Sequence, residues 1–135
     1  MQTFLPYKDF KKTARCLDYK RLGKQRVEAM QILNVLEGKS EGWKNHPAIK
    51  MWKGYEEALK LYMNTIIAEW LERGYNNTML KAKIDLSCLI FPPWIGKYKL
   101  HRSHKSNLLR KDYDYYKKFN WNVKDNLPYY WPTNL

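Results

Sequence analysis

Between positions 48 and 73 apolar residues recur at steps of three and four. Trp52, Tyr55, Leu59, Tyr62, Met63, Ile66 and Trp70 form a stripe over several turns, which predicts a core helix. Gly54 is a weak point within it, and two helices bent at that glycine fit the pattern about as well. Upstream, residues 1–5 read as a short extended start that meets Pro6. Asp9 then caps a basic helix predicted to run toward Glu37, with Gly23 as its point of division and Val27, Met30, Leu33 or Asn34, and Leu36 as a rough stripe. Gly38 stands where a left-handed C-terminal cap is expected, and Pro47 suits the first position of the core helix. Residues 77–100 have no period; within them Leu86-Ser87-Cys88-Leu89-Ile90-Phe91 reads as a short strand or a buried connector. Ser103 or Ser106 is expected to cap a third helix through Lys118, and the proline-bounded tail that follows is non-helical. The pattern therefore predicts an all-α fold, a single compact domain over residues 1–135 of about three principal helices with long connecting loops.

Charge narrows the partner. Lys and Arg total 25 against 13 Asp and Glu, a formal charge of +12, which is the footprint of a polyanion binder. Residues 8–26 hold eight cations against Asp9 and Asp18 alone, and a second cluster runs over residues 97–118. Aromatics make up 16% of the chain and many stand beside basic residues, placed either to stack on bases or to pack a core. Cys16 and Cys88 are the only cysteines, and no signal segment or membrane-length apolar run is present, so a reduced, cytoplasmic protein with no membrane partner is expected.

Three motifs add chemistry: Asn45-His46-Pro47 ahead of the core helix, Ile67-Ala68-Glu69-Trp70-Leu71-Glu72-Arg73-Gly74-Tyr75-Asn76 at its end, and Tyr19-Lys20-Arg21-Leu22-Gly23-Lys24-Gln25-Arg26-Val27 on the first helix. Together they resemble the small pyrimidine-dimer DNA glycosylases of the phage endonuclease V family, in which a His opens the core segment and Arg-Gly-aromatic-Asn closes it. The resemblance is strong over residues 45–76, moderate over 17–27 and loose thereafter. It implies a helical DNA glycosylase with abasic-site lyase activity, acting on a damaged or modified pyrimidine in double-stranded DNA, as a monomer without cofactor or metal. The cell's DNA sets its place, whether a nucleoid or a virus-infected cell.

In that family the nucleophile is the α-amine of the mature N terminus, a group with an ordinary pKa near 8 and hence a useful neutral fraction. Gln2 is too large for ordinary removal of the initiator, so the amine of Met1 is expected in that role. The family's first helix carries Tyr-Arg-Glu-Leu-Pro-Arg, and here Arg21 stands where its Glu would be. Glu28 is the nearest replacement on the same helix, with Asp18 second; a carboxylate among cations suits stabilising a developing oxocarbenium ion. His46 matches the family's His, as a catalytic residue or as a helix cap. Met1, Arg21, Glu28 and His46 are thus the expected catalytic group.

For DNA contact, Arg15, Lys20, Arg21, Lys24 and Arg26 are expected along one side of the first helix, with Gln25 beside them. Arg102, His104 and Lys105 are expected to form an anion site at a helix N-terminus. Tyr129, Tyr130 and Trp131 match the family's aromatic tail, packed on the lesion or on the core. His101 and His104 have metal-ligand spacing, but no Cys or carboxylate cluster accompanies them, and no metal is expected. A non-catalytic DNA binder on the same scaffold and an RNA- or nucleotide-processing enzyme are the rival readings.

Overall fold

Three helices carry the architecture, α2 (Tyr19–Leu36), α4 (Glu56–Glu72) and α5 (Tyr98–Lys111), and three shorter ones join them, α1 (Phe10–Cys16), α3 (Pro47–Lys50) and α6 (Tyr113–Tyr116). The computed structural model describes residues 1–132, and among these there is no strand. The fold is all-α, as the apolar periodicity predicts.

Asp9 caps α1, its carboxylate accepting from Lys11 N at 3.0 Å. The division of the basic segment falls at Leu17-Asp18 rather than at Gly23. There Asp18 N donates to the Tyr116 hydroxyl at 3.0 Å while that hydroxyl donates to Asp18 Oδ1, so a distant ring holds the two extended residues out of the helix. Gly23 lies inside α2 for a packing reason: a Cβ there would stand 2.9 Å from Cζ3 of Trp70. The two longest helices, α2 and α4, pack on each other through this contact, and Leu22, Ala29 and Ile32 of the one join Leu59, Ile66 and Ile67 of the other in a single buried core.

At the other glycine the chain does break. Gly54 has φ +88°, and α3 and α4 form on either side of it, the two-helix alternative. Gly38 closes α2 at φ +77°, with Gly38 N bonded to Val35 O.

Two elements differ from the sequence expectation. Residues 86–91 form neither a strand nor a buried connector: Leu86–Cys88 is one 3-10 turn, and Leu86, Ile90 and Phe91 are exposed. The Asp85 carboxylate captures both Ser87 N and Ser87 Oγ, a local bond that competes with extended structure. The third helix starts at Tyr98, ahead of both serines, which are interior and buried, and it ends at Lys111 because Asp112 caps α6 by accepting from Tyr115 N. Ser106 Oγ and Ser103 Oγ instead accept from Leu127 N and Tyr130 N, fastening the C-terminal tail to α5.

Candidate active site

Residues 2–5 are buried, follow a half-buried Met1 and belong to no helix or strand, so side chains must satisfy their backbone. Trp52 Nε1 donates to Thr3 Oγ1 at 3.0 Å, Phe4 N donates to Gln25 Oε1 at 2.8 Å, and the Tyr62 hydroxyl is shared between Phe4 O and Gln25 Oε1, 2.8 Å from each. Leu5 is held from both sides. Its N–H donates to His104 Nδ1 at 2.8 Å and its carbonyl accepts from His101 Nδ1 at 2.7 Å, while His101 Nε2 accepts from Gly96 N. These roles make both rings neutral, His101 protonated at Nδ1 and His104 at Nε2. Burial pushes both pKa values down, that of His104 to about 3.

The first residue so positioned lines a cavity of about 430 Å³ between α2, the end of α5 and the tail. Glu28 reaches it from α2, its Oε2 accepting from Gln2 N at 3.3 Å and from Gln25 Nε2 at 2.8 Å. The carboxylate is thus fixed one residue from the Met1 amine. Lys20, Arg21 and Lys24 line the same cavity; Arg21 also pairs with Asp18 at 3.2 Å. His46 caps α3 by accepting from Ala48 N at its Nδ1. Its pKa is lowered by burial first and by the charge of the chain's amine second, with Glu28 acting the other way, so the three groups share one electrostatic field. Trp131 meets the His46 ring edge-on at 5.6 Å, and Tyr129 lies on the cavity wall 6.1 Å from Phe4.

Met1, Lys20, Arg21, Lys24, Gln25, Glu28 and Tyr129 are therefore brought together, with His46 and Trp131 adjoining. Gln25 is buried at the base of the cavity, its amide bonded to Phe4, Tyr62 and Glu28. Other expected contacts lie elsewhere. Arg26 points off the opposite face of α2, its guanidinium 4.2 Å over Trp70 and bonded to Asn77, because at 100° per residue it falls far from Lys20 and Lys24. Arg15 lines a separate cavity between α1 and α4. His104 is wholly buried, so it belongs to the support of Leu5 and presents nothing to a phosphate. Lys105 lies over Tyr7, and Arg102 beside Tyr98, so the expected anion site at a helix N-terminus is not formed: these positions are interior to α5. Tyr130 is half-buried, tied through its backbone to Ser103.

Sequence reasoning passed over Lys111, which lines the cavity from the last turn of α5. Its pKa is lowered by burial and then by the neighbouring Arg21, Lys24 and Arg110, with Glu28 acting the other way. Its membership in the second basic cluster was the available signal.

The segment over residues 67–76, by contrast, is scaffolding. Arg73 bonds Glu69 at 2.8 Å and the α1 carbonyls Ala14 O and Arg15 O, while Trp70 Nε1 donates to Asn76 O at 2.7 Å. It ties α1, α4 and the following segment together.

No curated protein and no solved structure matches the chain. A family model described as pyrimidine dimer DNA glycosylase matches residues 1–83, from the buried N-terminal segment through α4 and the stretch after it. That span contains the first residue, the cationic face of α2, Glu28 and His46, and it is well over half the sequence. The chain belongs to the pyrimidine dimer DNA glycosylase family.

Proposed function

We propose that this member of the family is a DNA glycosylase with abasic-site lyase activity, excising a damaged or modified pyrimidine from duplex DNA with the α-amine of Met1 as nucleophile. The observation that carries the reading is the bond from Gln2 N to Glu28 Oε2, which sets a carboxylate beside the first residue in a cation-rimmed cavity. A carboxylate on a wall that phosphates approach opposes binding, which favours the catalytic reading over a non-catalytic binder. In the neutral form the amine attacks C1′ of the sugar, the N-glycosidic bond breaks, and the base leaves with the bonding pair. The attacking nitrogen gives up one proton, which the departing base takes; opening of the C1′–O4′ bond, with O4′ taking a proton, then gives the protonated imine, whose cationic nitrogen makes the C2′ proton removable. Removal of a C2′ proton then expels the 3′ phosphate, and water hydrolyses the imine to free the protein.

In this scheme Glu28 stabilises the cationic sugar, taking the role that Arg21 cannot fill. His46 uses Nδ1 as an acceptor, which leaves Nε2–H as a donor to the substrate. Lys20, Lys24 and Lys111 hold the phosphates on either side. Borohydride reduction on a duplex with an abasic site tests the nucleophile: a stable adduct is expected on the N-terminal peptide, and one added residue ahead of Met1 should abolish it while binding persists. An adduct on an internal Lys, or none despite tight binding, overturns the assignment.

A further inference from the structure

One indole stands largely outside the core. Trp43, in the loop before α3, is 68% exposed, and its backbone has φ +65°, a conformation that crowds Cβ against the following carbonyl and that a bulky residue rarely adopts. Burial does not offset this strain. The loop is nonetheless fixed: His46 N donates to Trp43 O at 2.8 Å, closing a turn onto the residue that caps α3.

From Trp43 a file of rings runs inward. Trp43 meets His46 at 6.0 Å, His46 meets Trp131 at 5.6 Å, Trp131 meets Tyr129 at 5.6 Å, and Tyr129 lines the cavity of Met1. Base excision from a duplex opens the stack at the lesion, and a nucleotide drawn out of it leaves a base-sized gap flanked by π-faces. An exposed indole fits such a gap, since aromatic stacking on bases is sequence-tolerant. Lys44, beside it and exposed, supplies a charge for the flanking backbone.

We propose that Trp43 enters the DNA stack where a nucleotide at the lesion has left it, setting the preference of the protein for a duplex whose stack is already broken. This rests on the glycosylase reading above. The test uses a duplex with a tetrahydrofuran abasic analogue, which cannot form an imine, and 2-aminopurine next to the gap. Wild-type protein should prefer this duplex over an intact one, dim the 2-aminopurine on binding by stacking against it, and show quenching of Trp fluorescence. Trp43→Ala should reduce the preference about tenfold or more, the range of one lost base–aromatic stack, with intact-duplex affinity within about twofold. Trp43→Phe should recover part of it. Trp43→Gly, which suits the backbone better, should melt no lower than wild type yet lose the preference, separating this role from a structural one. Retention of both preference and 2-aminopurine response in Trp43→Ala and Trp43→Gly overturns the proposal. Failure of the Met1 assignment appears separately, as missing borohydride adducts with the wild-type protein on a true abasic site.

Discussion

Glu28 lies seven residues beyond Arg21, two turns along the same face of α2, so a carboxylate and a guanidinium share the wall on which the family sets one Glu. Glu28→Gln keeps the shape, and its amide oxygen can still accept from Gln2 N, but the charge is gone. We expect base release to fall at least about 100-fold while binding to intact duplex holds or tightens, because an anion has left a cationic wall; single-turnover base release alongside a binding titration measures both. Full activity returns Glu28 to a support for the N-terminal segment. Gly23 poses a question of sign. Replacing a mid-helix Gly by Ala ordinarily gains up to about 1 kcal/mol, but the added Cβ meets the Trp70 ring at 2.9 Å, and that ring is wedged between Tyr19, Tyr75 and Arg26. The clash wins, and Gly23→Ala should destabilise by about 1–2 kcal/mol in urea unfolding. An increase in stability would mean that Trp70 yields freely.

At the scale of elements, α5 and the N-terminal segment are joined by neutral histidines, which makes the joint sensitive to acid. The folded pKa of His104 is depressed to about 3 while the unfolded chain titrates near 6.5, so below that value the unfolded state binds more protons. The stabilisation is complete above about pH 6.5 and is lost as pH falls toward 3. His104 alone should lower stability by about 2 kcal/mol between pH 7 and pH 5. His104→Asn keeps an acceptor near Nδ1 without the titration and should flatten that slope in urea melts; an unchanged slope assigns the acid effect to His101 or to carboxylates. This joint was not legible in the sequence, where His104 reads as one of a basic cluster, since its partner Leu5 is 99 residues away. The break at Leu17-Asp18 was hidden for the same reason, its cause being Tyr116. What could be read was what neighbours in sequence decide: the Asp9 cap, the glycine closures at 38 and 54, and the periodic stripe of α4. The site divides along the same line. Met1, Glu28, His46 and the Lys20–Lys24 wall follow from motifs on single elements, whereas Gln25, Arg26 and Lys111 take their roles from residues on other helices.

For the whole molecule the +12 charge matters less than where it gathers. Lys20, Arg21, Lys24 and Lys111 converge on the Met1 cavity from two helices, while Lys12 and Lys105 gather over Tyr7, at the far end of the buried N-terminal segment. Each phosphate neutralised releases counterions and contributes about −0.9 to the slope of log affinity against log salt. Four cations at the cavity therefore predict a slope of about −3.6 or steeper on any duplex. Reversing charge at Lys20 and Lys24 together should weaken intact and abasic duplexes alike and make the slope shallower by about 1.8, leaving any preference between the two duplexes in place, because phosphate contacts hold the DNA without reading the lesion. Fluorescence anisotropy at several salt concentrations measures both quantities. An affinity flat in salt would remove the groove from this face. A loss confined to the abasic duplex would instead place Lys20 and Lys24 at the extruded nucleotide, on the inner side of the cavity rather than along its rim.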